Sequence, residues 1–247
     1  MAIAGMSKGL ARMSRVCPHQ FSAFKDRRRL FFSLSHDIQT RLADALRRRG
    51  KASMALAGGS TPAPLYEALS HASLAWDKVS ITLTDERWVS PSDPASNEHL
   101  IRNILIKDRA AGAVFCPFKT KHARASGGAS VTERRIARIV PFDVCLIGMG
   151  ADGHIASLFP AADGYEAAMD PQATCKVAVI HAPGAAGAAE RLSLTLSGLL
   201  SSRQIVALFM GQDKFDVYRE ARAGVGRSPL RNLLAQDEVP VHVFWAP

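Results

Sequence analysis

Seven short apolar segments recur along the chain, each rich in β-branched or small residues. They occupy residues 53–58, 78–84, 113–118, 142–148, 176–181, 204–210 and 241–246. Segments of this length that are apolar throughout are typical of strands buried on both faces. The pattern therefore predicts a sheet that is covered on both sides.

Helical patterns separate most of the predicted strands. In residues 34–48, Leu34, Ile38, Leu42 and Leu46 recur at the spacing that places them on one face of a helix. Similar patterns occupy residues 62–71, 97–106, 130–140, 191–202 and 214–222. Buried strands joined by helical crossovers predict an α/β fold with a mostly parallel sheet and helices on both faces. Because ligands bind beyond the carboxyl ends of the strands in such sheets, the loops after the apolar segments are the candidate functional regions.

Charge is distributed unevenly along the 247 residues. The formal net charge is +9, but residues 1–29 hold seven Lys or Arg and one acid, so this basic head alone carries +6. The head lacks the continuous apolar core of a secretory signal, and an organelle presequence is a second interpretation. We expect a poorly ordered extension over 1–29 and a single domain over 30–247. The nearly neutral body gives no reason to expect a nucleic-acid partner.

Cysteine spacing and hydropathy exclude other classes of protein. The four cysteines (Cys17, Cys116, Cys145 and Cys175) show no CxxC spacing, which favours reduced thiols in a cytoplasmic protein. The sequence contains no HExxH motif, EF-hand loop or Cys/His cluster, so we predict neither a metal nor another cofactor. No run of about 18 apolar residues occurs, so no membrane-spanning helix or membrane partner is predicted.

The first candidate loop reads Gly58-Gly59-Ser60-Thr61 and precedes a helix that starts near Pro62. Glycines let backbone N–H groups approach an anion, and a helix N-terminus adds unpaired donors and a favourable dipole. The loop is therefore a candidate phosphate cradle. A tight strand-to-helix turn with ordinary capping is the alternative, and the loop matches neither a Walker motif nor a nucleophile elbow.

Two further segments supply charged side chains. The sequence TDERW contains Asp85, which could orient a base or a sugar hydroxyl, and Arg87, which could bind phosphate through two parallel hydrogen bonds. Residues 96–98 open the next predicted helix as a cap or a wall of the site. Lys214 follows another predicted strand, and Arg191 starts a predicted helix; both are candidate phosphate ligands. Each of these charges, taken alone, also fits a solvated surface group.

The segment 148–154 reads GMGADGH and contains a GxGxxG pattern after a predicted strand. Dinucleotide sites of this type need a carboxylate about 20 residues later, at the end of the next strand. Here Asp170 precedes the next strand, and Asp152 would place a negative charge against the pyrophosphate. The glycines more plausibly present Asp152 and His154 at the strand end, where His154 acts as a general base. A hydrogen-bonded structural role is the alternative for a lone histidine.

Taken together, these segments resemble a known family. The carrying motifs are AGGSTP (57–62), TDERWV (84–89), SNEHLIRN (96–103), FDVCLIGMGADGHIASLFP (142–160), GQDK (211–214) and the closing PVHVFWAP. They resemble the 6-phosphogluconolactonase branch of the glucosamine-6-phosphate isomerase/6-phosphogluconolactonase family over roughly 30–247. The resemblance implies the Rossmann-like fold that glucosamine-6-phosphate and ribose-5-phosphate isomerases share.

The resemblance also implies a reaction, the hydrolysis of 6-phospho-D-glucono-1,5-lactone to 6-phospho-D-gluconate in the oxidative pentose phosphate pathway. His154 would activate water without an acyl-enzyme, while Asp152 and Asp85 would orient the base or the sugar ring. The substrate would be the only predicted partner, and the oligomeric state stays open. The residues that would bind the substrate phosphate are Gly58, Gly59, Ser60, Thr61, Arg87, Lys214 and, as a helper, Arg191.

Two alternatives stay open from the sequence. A sugar-phosphate isomerase or deaminase of this family carries a Glu five residues after the histidine, where this chain has Phe159. A sugar-phosphate sensor would need a DNA-binding domain, and the residues before the first helix are too few for one. The segment 181–190, HAPGAAGAAE, also departs from the family in its Gly and Ala content next to Arg191.

Overall fold

The computed structural model describes residues 19–247, and residues 1–18 lie outside the described part. Most of the predicted extension therefore lies outside the description, but its last part is folded. The first strand, β1 (Gln20–Ala23), pairs with the C-terminal strand, and Phe21 stacks on Tyr218 with ring centroids 5.0 Å apart. The predicted domain boundary at residue 30 is therefore too late, because sheet pairing and aromatic packing order the chain before it.

The main sheet has seven strands, and all of its pairings are parallel, as predicted. In spatial order the strands are β1, β10 (Val241–Ala246), β9 (Ile205–Met210), β6 (Val144–Gly148), β2 (Ala52–Leu56), β3 (Val79–Leu83) and β5 (Val114–Phe115). After β2 the chain continues to β3 and β5 on one side, whereas after β6 it continues to β9 and β10 on the other. The adjacent strands β2 and β6 therefore form a topological switch point, which is where open α/β sheets bind ligands.

A second sheet of three antiparallel strands contains β4 (Asp85–Arg87), β8 (Glu190–Leu194) and β7 (Val177–His181). The predicted helix over 191–202 is wrong, because its first part is β8 and the helix that follows covers only Leu196–Leu200. Pairing with strands on both sides overrides the local helical pattern. Arg191 is therefore a strand residue, and its register partner is Arg87.

The helices of the described chain pack around these sheets. They are α1 (Arg27–Arg49), α2 (Ala63–Ser70), α3 (Asn97–Ile104), α4 (Ala125–Ile136), α5 (Tyr165–Met169), α6 (Leu196–Leu200), α7 (Gln212–Arg222) and α8 (Pro229–Ala235). Asp26 caps α1 by accepting a hydrogen bond from the backbone N–H of Arg29 at 2.8 Å. Among the helices of residues 19–247, none is long and apolar enough to cross a membrane.

The central strands and the first helix form the core. All five residues of β2 are buried, and so are Leu30, Leu34, Ile38 and Leu42 of α1. This confirms the predicted apolar face of the helix, which starts earlier than its predicted limit. Burying each of these large aliphatic side chains contributes about 1.5–3 kcal/mol. The core thus fixes the carboxyl ends of β2 and β6, from which the candidate site is built.

Candidate active site

A cavity of about 300 Å³ opens at the switch point between β2 and β6. The residues that line it come from the loops after β2 and β6, from the strands β4 and β8, and from the start of α7. The sequence-predicted site residues that line it are Gly58, Gly59, Ser60, Thr61, Asp85, Arg87, His154, Arg191 and Lys214. Asp152 lines a neighbouring cavity that shares His154. The structure thus brings residues from the four predicted loops together.

The loop after β2 presents backbone donors to the cavity. Within residues 19–247, the N–H groups of Gly59, Ser60 and Thr61 donate to no other protein group. Gly58 has to be glycine, because a Cβ at this position would lie 1.8 Å from Oδ1 of Asn97. This close approach places the Asn97 side chain beside the donors. The loop therefore has the properties of an anion cradle rather than only those of a turn.

Asp85 is buried at the far side of the cavity and accepts two hydrogen bonds. Ser157 donates its hydroxyl to Oδ2 of Asp85 at 2.5 Å, and the Thr84 hydroxyl donates to Oδ1 at 3.2 Å. Ser157 in turn accepts a hydrogen bond from Nη1 of Arg191 at 3.3 Å. Sequence reasoning missed Ser157, although it lies in the DGHIASLFP motif that carried the resemblance. The hydroxyl thus connects the segment that follows β6 of the large sheet to a carboxylate and a guanidinium of the small sheet.

Two guanidinium groups face the same cavity from opposite strands. Nη1 of Arg87 donates to the backbone oxygen of Ala95 at 2.6 Å, and Nε of Arg191 donates to that of Ala188 at 2.9 Å. Burial lowers the pKa of Arg191, Asp85 acts to raise it, and the Arg87 charge lowers it further. Both side chains stay charged because an arginine does not deprotonate in proteins. Their mutual repulsion makes an anion between them favourable.

His154 and Asp152 form a hydrogen-bonded pair in the loop after β6. Nδ1 of His154 lies 2.5 Å from Oδ1 of Asp152. Burial acts to raise the pKa of Asp152, but the hydrogen bond and charge of His154 hold it below its ordinary value. An ionised Asp152 accepts a hydrogen bond from Nδ1–H of His154, and in this tautomer Nε2 carries the free lone pair that can receive a proton. A Cβ at Gly150 would lie 2.1 Å from Cε1 of His154, so the ring can occupy this place only beside a glycine.

Lys214 lies in the first turn of α7, directly after β9. The side chain is half-buried, and this burial lowers the pKa of Lys214, while the charge of Asp152 acts to raise it. Lys214 lines the cavity together with residues of the histidine loop. Lys214 is therefore the cation that the large sheet contributes, whereas both arginines belong to the small sheet.

The neighbouring cavity, of about 670 Å³, shares Arg87, His154 and Arg191 with the first. Its wall includes Phe159, whose ring centroid lies 4.2 Å from that of His154, and the Gly- and Ala-rich residues 182–186. The guanidinium of Arg191 lies 5.3 Å from the same aromatic ring. The Gly- and Ala-rich segment next to Arg191 therefore forms a wall of small side chains beside the loop that carries His154.

Potential metal ligands gather elsewhere on the surface. Among residues 19–247, the cluster whose ligand atoms all lie within 4.8 Å of one another consists of Glu67, His71 and Asp108, all exposed. Lys107 places its ammonium 2.8 Å from the Glu67 carboxylate and so already compensates part of the negative charge. These three residues do not line the cavity.

Comparison with known proteins decides the family. The model of glucosamine-6-phosphate isomerases/6-phosphogluconolactonase matches residues 25–245. The chain belongs to this family. A 6-phosphogluconolactonase of Rhizobium meliloti is 38% identical over 218 residues, which cover 87% of this chain and 93% of that protein. One from Pseudomonas putida is 32% identical over 247 residues, covering 99% of this chain and all of that protein.

A solved structure shows the same family fold. The crystal structure of a 6-phosphogluconolactonase from Shewanella baltica has a TM-score of 0.88 to this chain at 36% identity. The match covers 94% of this chain and 100% of that one. The predicted family membership and α/β fold are therefore confirmed. The roles of individual side chains stay predictions, and their support is the geometry of the cavity.

Proposed function

We propose that the chain hydrolyses 6-phospho-D-glucono-1,5-lactone to 6-phospho-D-gluconate, the second step of the oxidative pentose phosphate pathway. The observation that carries the proposal is the convergence in one cavity of His154, three cations and a glycine-rich loop, with Asp152 hydrogen-bonded to the imidazole from beside that cavity. Relatives that share most of the chain's length bear the name of this activity. A phosphorylated lactone is an anion with a hydrolysable carbonyl. It therefore needs both the cations with the glycine-rich loop and the His154–Asp152 pair.

The phosphate end of the substrate binds in the cationic half. The N–H groups of Gly59, Ser60 and Thr61 are free to bind an anion in the cavity that this loop lines, and the N-terminus of the following helix adds a favourable dipole. Arg87 and Lys214 supply positive charge, with Arg191 as a helper. The planar guanidinium of Arg87 can donate two parallel hydrogen bonds, and the ammonium of Lys214 is a compact point charge. Together they define the orientation and the position of a phosphate in the cavity.

The lactone carbonyl then lies against His154. Nε2 of His154 takes a proton from a water molecule as that water attacks the carbonyl carbon, and Asp152 stabilises the resulting imidazolium through Nδ1–H. The tetrahedral intermediate collapses with cleavage of the bond to the ring oxygen, and the imidazolium returns its proton to that oxygen. A positioned base of this kind contributes about 10²–10⁴ in rate. Donors that face the developing oxyanion lower the barrier further.

Asp85 orients the sugar ring rather than the base. Its carboxylate lines the cavity and is itself fixed by the hydroxyls of Ser157 and Thr84. Because the carboxylate is held in one orientation, it accepts hydrogen bonds from substrate hydroxyl groups only when the sugar ring has the matching orientation. This role fits a side chain that is buried and lies on a different sheet from the base.

Phe159 favours the lactonase over the isomerase. An aldose–ketose shift opens the ring and moves a proton between two carbons, so it needs an acid–base group beyond one histidine. The isomerase branch of the family carries a Glu at the position of Phe159, and here an aromatic ring packs on His154 instead. Hydrolysis of a lactone needs no proton shuttle at that place.

The substrate is the only partner we propose, with no nucleic acid and no membrane involved, and we assign the enzyme to the cytoplasm. The thiols of Cys116, Cys145 and Cys175 are all free, as expected in a reducing compartment. Burial raises the pKa of Cys145 to about 12, so this thiol is a packing group rather than a nucleophile.

A coupled assay tests the proposal. Glucose-6-phosphate dehydrogenase generates the lactone, and the appearance of 6-phosphogluconate is followed with and without this protein, after subtraction of spontaneous hydrolysis. We expect acceleration by the wild type, loss of about 10²–10⁴ in kcat for His154→Ala, and no change for the exposed histidine variant His36→Ala. No acceleration by the folded wild type would refute the proposed reaction. Wild-type turnover by His154→Ala would refute the role of the base.

A further inference from the structure

Glu86 is a fully buried carboxylate between two residues of the cavity. Its neighbours in the chain, Asp85 and Arg87, both line the cavity, but Glu86 itself points away from it, toward the N-terminus of α3. A carboxylate without access to water is costly unless its oxygens are hydrogen-bonded. Its position therefore calls for an explanation that substrate contact does not give.

Both carboxylate oxygens of Glu86 accept two hydrogen bonds. Oε1 accepts from the backbone N–H groups of Arg87 and Asn97, each at 2.8 Å. Oε2 accepts from the Ser96 hydroxyl at 2.9 Å and from the backbone N–H of Glu98 at 2.8 Å. One donor belongs to β4, and the other three belong to the start of α3. The carboxylate therefore fastens the strand to the helix N-terminus, where a negative charge is favourable.

The two fastened segments both lead into the cavity. Asn97 lines the cavity, donates from Nδ2 to the backbone oxygen of Asp85 at 2.8 Å, and lies in close contact with Gly58 of the phosphate loop. Arg87 reaches the cavity from the strand side. A shift of β4 against α3 would therefore move the guanidinium relative to the backbone donors of the loop.

We infer that Glu86 is a positioning residue for phosphate recognition, which acts by fixing Arg87 and Asn97 relative to each other. This inference rests on the proposed role of Arg87 in binding the substrate phosphate. The carboxylate has no contact with the reacting carbonyl, so its loss weakens substrate binding and leaves the chemical step nearly unchanged.

Glu86→Gln is the sharpest perturbation, because it preserves shape but replaces one accepting oxygen with a donor. Burial raises the pKa of Glu86 to about 7, and the four hydrogen bonds oppose this rise. The assay is therefore made at about pH 8, where the carboxylate is ionised. We expect KM for the lactone and Kd for inorganic phosphate each to rise about tenfold, with kcat within about twofold of the wild type.

Asp143→Asn is the matched control. Asp143 is also a buried carboxylate, but it precedes β6, at the opposite end of the strand from the cavity, where it accepts from the backbone N–H of Ser53 at 2.9 Å and pairs with Arg49. We expect its KM and phosphate Kd to stay within about twofold of the wild type. If Glu86→Gln does not fold, Ser96→Ala removes a single donor to Glu86, and a rise of about twofold to threefold in phosphate Kd is expected.

A double-mutant cycle separates positioning through Arg87 from general destabilisation. We expect Arg87→Ala to raise phosphate Kd, and Glu86→Gln to raise it little further in that background, because the two changes remove the same interaction. The inference would be overturned if the two substitutions raised the phosphate Kd independently, so that their effects multiplied in the double variant. It would also be overturned if Glu86→Gln left the phosphate Kd unchanged. An unchanged Kd in Arg87→Ala would overturn it as well. Because phosphate binding needs no turnover, a failure of the proposed hydrolysis appears separately, as an inactive wild type.

Discussion

Replacing Asp152 by Asn tests the catalytic pair directly. The carboxylate Oδ1 lies 2.5 Å from Nδ1 of His154 and accepts a hydrogen bond from Nδ1–H. An asparagine has nearly the same shape but can turn its amide N–H toward Nδ1. The imidazole would then keep its proton on Nε2, which is the atom that has to accept a proton from water. The variant therefore loses both the correct tautomer and the negative charge that stabilises the imidazolium.

The expected magnitude follows from the exposure of the pair. In a buried Ser-His-Asp triad the same change costs about 10⁴ in kcat. Here the side chain of Asp152 is 59% exposed, whereas that of His154 is 27% exposed. Water screens the charge of Asp152 and can replace part of its hydrogen bonding. We therefore expect kcat to fall by about 10²-fold, near the lower limit for loss of a general base.

The coupled lactone assay decides the outcome. KM should change less than kcat, because Asp152 does not line the cavity that contains the glycine-rich loop and Lys214, although it shares the neighbouring cavity with Arg87 and Arg191. Asp170→Asn is the control, since this exposed carboxylate only accepts a hydrogen bond from the backbone N–H of Gln172. A kcat for Asp152→Asn within twofold of the control would refute the tautomer argument and reduce Asp152 to a loop-stabilising residue.

Two other changes test the remaining parts of the site. Because burial lowers the pKa of Lys214, its charge is present below that pKa and is lost as the pH rises through it. The affinity for 6-phosphogluconate, measured by calorimetry, should therefore fall with rising pH, and this fall should begin at a lower pH than the ordinary pKa of a lysine would give. Lys214→Arg should abolish this loss. In Gly150→Ala the new methyl group would displace the imidazole, so kcat should fall about 10²-fold with little change in KM. Gly112→Ala, where a Cβ meets only ordinary contacts, is the control; equal activity of the two variants would contradict the packing argument.

The sequence predicted those features that depend on neighbouring residues. The apolar face of α1 and the buried strands follow from side-chain spacing within one segment, and the glycine-rich loops follow from local conformational needs. The wrong predictions depended on distant partners. Residues 20–23 form a strand because they pair with residues near the C-terminus, and Arg191 lies on a strand because it pairs with β4 and β7. No local pattern contains this information.

The same distinction holds within the site. Charged residues after predicted strands were found because such loops meet at one edge of a parallel sheet. Ser157 and Glu86 were missed because their importance lies in contacts with residues far along the chain or across a helix start. A serine in a loop and a glutamate in a charged run have no distinctive local signature. Only the three-dimensional arrangement shows that one joins the two sheets and the other fixes a strand to a helix.

The division of the site between two sheets explains how phosphate binding can serve catalysis. The large sheet carries the glycine loop, Lys214 and His154, whereas the small sheet carries Arg87 and Arg191. A phosphate held between them fixes the substrate with respect to both sheets, although it is remote from the reacting carbonyl. The Ser157 hydroxyl, which follows the His154 loop and bonds to the strand residue Asp85, keeps the two parts in register. In the proposed mechanism, binding energy from the phosphate orients the lactone against the base and lowers the barrier without a covalent intermediate.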